Sequence, residues 1–369
     1  MIRPDLSRTL GPWLAASVLA LPLALSAQTT ESVQSPDWRT ANAVVGTFQR
    51  GHADILKWER AHSSAQPTAP EPLGGLAVPT PADAVRLAWR VHPSLAPVQS
   101  RLGSPHAETV LSGRWLALDP SLQRRVGDMD ELLAVAVQAR KAWVQAVAAR
   151  QMVVHQQTAL EAAQAANALG QRMVAVGNWS RLQQSPVQLA EASARMQLRR
   201  AQLAAAQAQA SLIDVLGLAG QEDTLNLPDR LPDVPAQPWS EAELAQATTA
   251  IQGQLPTAEQ RRHPALARLA IQTYQTAHAQ ALDARDVVLK ERAKITEETV
   301  LHYNGMLKSV WDLLDASRQQ AQATADALGA QRDFWLADTD LQWVMQGGQP
   351  DGFVTLGGGA AESPSAAPH

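Results

Sequence analysis

Apolar residues recur every three and four positions through most of this chain, the period of a helix face rather than of a strand. Leu132, Ala139, Ala146, Val153, Leu160, Asn167 and Val174 lie seven apart. Val135, Ala142, Ala149 and Ala163 follow three residues further on, with Gln156 interrupting the second set. That alternation predicts a coiled-coil seam. The helix carrying it starts at Asp128 or Asp130, either of which suits an N-cap, and runs to Val176, about 70 Å at ~1.5 Å per residue. Gly177 then turns the chain, and Leu182, Leu189, Met196, Leu203 and Ala210 predict a return helix ending at Gly217. The second half repeats the pattern, with Tyr274, Ala281, Val288 and Ile295 on one arm, a bend at Gly305, and Leu307, Leu314, Ala321, Leu328 and Trp335 on the return. Gly177 to Gly220 and Gly305 to Gly348 span the same interval. The expected fold class is therefore all-α: two long antiparallel helical hairpins in a coiled-coil bundle or tube wall, with few or no β-strands. Alanine at many seam positions allows close helix approach.

Between and around the hairpins the pattern breaks. Residues 1–27 read as a signal peptide: Arg3 and Arg8 precede an apolar stretch at 13–25, and Ser26-Ala27 offers a small-residue cleavage site. Residues 28–80 hold an N-terminal helix at 38–62, with Trp38, Phe48 and Trp58, and then a proline-rich linker. The first helical repeat occupies 81–220. It opens with a short helix at 81–91 that stops before His92-Pro93, because proline disfavours helix at the preceding residue. Its one candidate strand, 109–118, alternates poorly, since Ser112 and Arg114 share a face with Leu116 and Leu118. Residues 221–260 form a linker and short helix, with Pro228, Pro232, Pro235 and Pro238 followed by a capping box of Ser240 and Glu243. The second repeat, 261–347, begins Arg261-Arg262-His263-Pro264-Ala265-Leu266 and echoes His92-Pro93-Ser94-Leu95. Residues 348–369 are rich in Gly, Ala, Ser and Pro and predict a disordered tail, from about residue 350.

Composition sharpens this. The chain has 369 residues, no cysteine and a net charge of −4. Disulfides, thiolate metal sites and a lipid-modified cysteine are excluded, and no basic footprint for nucleic acid exists. Aromatics are 4% and much of the 46% hydrophobic content is alanine, which favours helix over strand.

Candidate chemistry is sparse. None of the nine histidines, His52, His62 and His302 among them, shows the i, i+4 spacing of a helical metal site. Glu297 and Glu298 are adjacent and diverge on a helix. No nucleophile elbow or phosphate loop is present. The expectation is a protein that is not an enzyme and has no cofactor or metal.

At the second bend the residues read Tyr303-Asn304-Gly305-Met306-Leu307-Lys308-Ser309-Val310-Trp311-Asp312-Leu313-Leu314, and at the first Ala175-Val176-Gly177-Asn178-Trp179-Ser180-Arg181-Leu182. These resemble the two helical tips of the TolC family of outer membrane efflux factors. The His-Pro segments resemble the Asn-Pro starts of that family's repeats. The resemblance covers about 85–347. It implies a homotrimeric export channel, in the outer membrane or periplasm, that docks through its tips onto a periplasmic adaptor and an inner membrane pump. The docking residues it implies are Val176, Gly177, Asn178, Trp179, Arg181, Tyr303, Asn304, Gly305, Met306, Lys308, Ser309 and Asp312. Gly177 and Gly305 are expected to be left-handed helix terminators, Trp179 and Met306 to be exposed, and Arg181 and Lys308 to be equivalent cations. The chain also departs from the family. Pro93 to Gly177 is roughly twice as long as Pro264 to Gly305, and the strand pairs that each family repeat contributes to a barrel are not legible. A shortened relative that keeps the periplasmic helices fits this pattern. A soluble periplasmic coiled-coil scaffold or binding protein without a channel is the alternative.

Overall fold

The computed structural model describes residues 75–357, so the expected signal peptide, the helix at 38–62 and residues 358–369 lie outside the described residues. Strand β1 (Leu76–Ala77) leads into α1 (Pro81–Arg90), a 3-10 turn (Pro93–Leu95), α2 (Ala96–Leu102), α3 (Ser104–Leu111), a second 3-10 turn (Trp115–Ala117) and α4 (Leu122–Arg125). The first hairpin follows as α5 (Met129–Ala175) and α6 (Arg181–Val215). Strand β2 (Leu225–Asn226) and α7 (Glu241–Gln252) connect it to the second hairpin: α8 (Thr257–Asp283), a π-helical turn (Ala284–Val288), α9 (Leu289–Asn304) and α10 (Val310–Val344). The fold is all-α, as the periodicity predicts. Among the described residues, strand pairing is confined to β1 and β2, parallel, with Leu76 opposite Leu225.

Local chemistry sets most of the boundaries. Capping boxes open α1 (Thr80 with Asp83), α6 (Ser180 with Gln183), α7 (Ser240 with Glu243) and α10 (Ser309 with Asp312). Each hydroxyl accepts from the N3 backbone N–H while the N3 side chain accepts from the cap, so two orphan donors are satisfied together. Only the Ser240 box was recognised in the sequence. Neither expected cap of α5 works through its side chain: Asp128 adopts φ 62° and makes no cap bond, and Asp130 accepts from Gln123 instead.

The candidate strand at 109–118 is not a strand. Val110, Leu111, Trp115 and Leu118 are buried at helical spacing, and the chain folds as the end of α3 and a 3-10 turn. Likewise His263-Pro264 does not start a helix but lies inside α8. Proline there leaves the carbonyl four residues back without its helical donor, and the Gln252 side chain donates to that Gln260 oxygen at 3.5 Å.

The long helices pack side by side in the order α6, α5, α10, then α8 and α9, so α6 lies at one edge of the layer and α8–α9 at the other. One large apolar core gathers α1, the short helices α2–α4, the first half of α5 and the end of α6. A second joins α7, α8 and the end of α10. Both sit at the end of the hairpins away from the bends. Phe353, Val354 and Leu356 pack against the second core, and the Gly357 N–H donates to Asp333. The disorder expected from residue 350 therefore does not begin before residue 357.

A buried polar network ties these parts together. Gln342 on α10 donates to Asp338 at 2.7 Å and accepts from the Trp115 N–H at 2.8 Å. Trp239 in the linker donates to the other Asp338 oxygen at 3.3 Å. Arg140 on α5, itself buried, donates to the Leu111 carbonyl, and Lys141 ion-pairs with the fully buried Asp340. Burial pushes the Asp338 and Asp340 carboxyls above the ordinary range, opposed by Arg140 and Lys141 respectively.

The seams are only partly where periodicity places them. On α5, Leu132, Ala139, Ala146, Leu160 and Asn167 are buried as expected. On α6 the expected seam faces outward: Leu182, Leu189, Met196 and Leu203 are 82%, 71%, 53% and 60% exposed. Val187, Ala194, Leu198, Ala201 and Leu212 are buried instead. Helix α6 carries two apolar stripes. The one with the smaller side chains packs on alanine-rich α5, because short side chains permit the closer interaxial distance.

Candidate functional site

Both hairpins reverse direction through the same five-residue device. At the first tip Val176 ends α5, Gly177 takes φ +78°, and the N–H groups of Asn178 and Trp179 donate back to the Met173 carbonyl at 2.9 and 3.1 Å. Ser180 then caps α6. At the second tip Gly305 ends α9 in a right-handed conformation, φ −81°, and Met306 takes φ +61°. The N–H groups of Leu307 and Lys308 donate back to His302 at 2.8 and 3.3 Å, and Ser309 caps α10. Only Gly177 of the two expected terminators is left-handed. Structurally Gly177 corresponds to Met306, Val176 to Gly305, and Ser180 to Ser309. A side chain at a left-handed position crowds its own carbonyl at roughly 1–2 kcal/mol, so Met306 sits there at a cost that Gly177 avoids.

This one-residue offset reassigns the cations. Lys308 corresponds to Trp179, not to Arg181, and approaches Asp312 at 4.0 Å. Asp312 is held below the ordinary carboxylate range by the hydroxyl and then the backbone N–H of Ser309, with Lys308 adding to the effect. Ser309 and Asp312 thus have a complete structural role in capping α10. Arg181 is exposed at the start of α6.

Trp179 is buried, contrary to expectation. Its ring stacks on Trp311 in the first turn of α10, with centroids 4.4 Å apart and planes 18° from parallel. Room for it comes from Gly170 on α5: a Cβ at that position would lie 3.1 Å from the Trp179 ring and 2.9 Å from Val187. Offset aromatic stacking contributes about 0.5–1.5 kcal/mol beyond burial, and here it joins the two tips. The sequence did carry the signal, a tryptophan soon after each bend.

What remains exposed at the tips is apolar. Met306 is 93% exposed, Leu307 75% and Val176 68%, with Tyr303 at 39% and Asn178 and Asn304 exposed beside them. No family model and no curated protein sequence matches the chain. Among solved structures it is similar to a membrane protein from Pseudomonas aeruginosa, at 12% identity and a TM-score of 0.48, over 65% of this chain and 74% of that one. It is also similar to CusC, whose crystal structures concern conformational changes accompanying folding and transmembrane channel formation, at 11% identity and a TM-score of 0.46, over 66% of this chain and 74% of that one.

Away from the tips, side chains that invite a chemical reading are engaged in packing. His263 and His278 are buried, and their Nε2 atoms donate to the Val344 and Pro235 carbonyls at 2.9 and 2.8 Å. His155 on α5 donates to the Ala321 carbonyl on α10 at 2.9 Å, a cross-link between the hairpins. Among the described residues no group of three or more His, Asp and Glu converges as a metal site, and no helix is long and apolar enough to cross a membrane.

Proposed function

We propose that this chain is an exported structural component of a tripartite export system. It acts as the outer membrane or periplasmic channel partner, and it docks onto a periplasmic adaptor and its inner membrane pump through the two hairpin tips. The observation that carries this reading is the tip pair: two matched reversals at one end of the layer, joined by the Trp179–Trp311 stack, with Val176, Met306 and Leu307 left in solvent. Exposed Met beside aromatic residues has the composition of an interface core. The resemblance of residues 303–314 to efflux-factor tips supports the same reading. The protein performs no bond chemistry and needs no cofactor or metal. Copies associate, as a trimer by the resemblance, to enclose the path of the exported substrate.

The test is cross-linking to the adaptor in cells, together with export, for a Val176→Glu/Met306→Glu variant. Loss of cross-linking and of export with unchanged helical content supports docking. Wild-type cross-linking and export in the variant would refute it.

A soluble periplasmic scaffold or binding protein is the second reading, and one observation favours it. The strands β1 and β2 have two residues each, whereas a barrel strand that crosses a bilayer takes about 9–11. The described residues therefore supply helices to any channel but no membrane-crossing strand.

A further inference from the structure

The two tips reverse through the same backbone path but place their glycines differently. At the first, Gly177 occupies the left-handed position at φ +78°. At the second, Met306 occupies it at φ +61°, and the glycine stands one residue earlier. Gly305 is right-handed, φ −81°. A Cβ there would meet ordinary contacts, the His302 and Leu301 carbonyl oxygens at 3.6 Å and Leu307 at 3.9 Å. The fold does not need a glycine at 305. Its presence has a chemical consequence instead, because the residue before it is Asn304.

A backbone nitrogen that follows asparagine can attack that asparagine's carboxamide. A side chain on the following residue hinders the approach, and glycine, with no Cβ, leaves it open. Asn304 is exposed, and no described residue hydrogen-bonds its carboxamide. What holds the reaction back is the helix. The Gly305 N–H donates to the Leu301 carbonyl at 3.0 Å, and Asn304 is the last residue of α9. That hold is weak. No residue of α9 is buried, and the left-handed Met306 works against the turn that follows it. Terminal turns with few buried contacts open at low cost. Opening releases the Gly305 N–H and lets Asn304 leave its helical conformation.

We infer that Asn304 is a site of spontaneous deamidation, so that the second tip carries a chemical record of the age of the chain. The Gly305 nitrogen bonds to Asn304 Cγ and gives its proton to solvent. The bond from Cγ to the amide nitrogen breaks, and ammonia leaves. Water, the only co-reactant, then opens the cyclic imide at either carbonyl. Opening at Cγ restores the original backbone as aspartate. Opening at the α-carbonyl breaks the original peptide bond and leaves isoaspartate, with the backbone running through Cγ. Either product puts a carboxylate in the last turn of α9, where the helix dipole is already negative. Isoaspartate also adds a methylene to the backbone just before Gly305 and Met306.

The first tip is the internal control. Asn178 is exposed too, but Trp179 follows it. The Trp179 N–H donates to the Met173 carbonyl at 3.1 Å, and its ring is held against Trp311. The inference depends on neither an adaptor nor a channel.

The test is peptide mapping by mass spectrometry of the purified full-length chain, sampled over time in mildly alkaline buffer made with heavy-oxygen water. Residue 304 is expected to convert to a mixture of aspartate and isoaspartate that carries the heavy oxygen. Its conversion should run about tenfold faster than that of Asn178, because glycine follows only Asn304. Gly305→Ala, which the right-handed backbone accepts, should slow conversion about tenfold with helical content unchanged. An intact Asn304, conversion no faster than at Asn178, an unchanged rate in Gly305→Ala, or aspartate as the sole product would each overturn the inference.

Discussion

Single glycines in the long helices have opposite roles, and substitution separates them. Gly170 gives up its side chain to Trp179 and Val187, so Gly170→Ala should destabilise the chain by about 1–3 kcal/mol through overpacking, with Trp179 fluorescence shifted to the red. Gly329 on α10 has nothing within 4 Å of where a Cβ would stand. Gly329→Ala should therefore stabilise by about 0.5–1 kcal/mol through backbone entropy alone. Urea melts of both variants decide, and the same sign for both would contradict the packing described. Buried carboxylates give the residue scale a pH signature. Burial raises the folded pKa of Asp338 and Asp340 above the unfolded value of 3.8. Their protonated forms favour the fold, so the stability they contribute is present below that value and is lost as pH rises through the folded pKa. Asp340→Asn should flatten the fall in stability above pH 4, since the neutral amide no longer titrates and Lys141 is a quarter exposed. An unchanged slope in denaturation midpoints across pH 4–8 would refute that assignment. Tip carboxylates act the other way: Asp312 is held low by Ser309, so its contribution is lost only as pH falls below the ordinary carboxylate range.

At the scale of elements, the hairpins were legible in the sequence and their faces were only half so. Periodicity located α5, α6, α8–α9 and α10 because a long helix must keep one apolar stripe against a neighbour. On α6 the seven-residue spacing of Leu182, Leu189, Met196 and Leu203 marks the exposed stripe, whereas Ala194 and Ala201 are buried, since small side chains permit the closer helix approach. Periodicity missed the π-helical turn Ala284–Val288 between α8 and α9 because the seven-residue spacing of Tyr274, Ala281, Val288 and Ile295 runs through it unbroken. The tips were found through their glycines, yet the left-handed residue of the second is Met306, and the shared signal was Ser180 and Ser309, each opening a capping box. Those caps carry a prediction. Ser180→Ala and Ser309→Ala should each cost about 1 kcal/mol, with faster amide exchange confined to the first turns of α6 and α10. Exchange that rises evenly along both helices would show that the caps do not terminate independent units.

For the whole molecule, the distribution of apolar side chains separates a densely packed end from a thinly packed one. The apolar cores and the buried Arg140–Asp338 network lie where α1–α4, the linker and residues 350–357 gather around α5 and α10. Toward the bends, burial thins to a small cluster of Leu160, Ala194 and Leu198, isolated residues such as Val187, and one tryptophan stack, while the edges of the layer carry unburied leucine, methionine, valine and isoleucine. Exposed apolar stripes of this kind mark candidate contact surfaces. In the proposed reading they are contacts between copies of the chain, and the apolar tips meet a partner at its end. The most direct measurement is cell fractionation combined with native mass spectrometry of the chain. The expected result is a discrete homo-oligomer, a trimer, recovered from the outer membrane or periplasm together with its adaptor. A soluble monomer with no associated adaptor would contradict it.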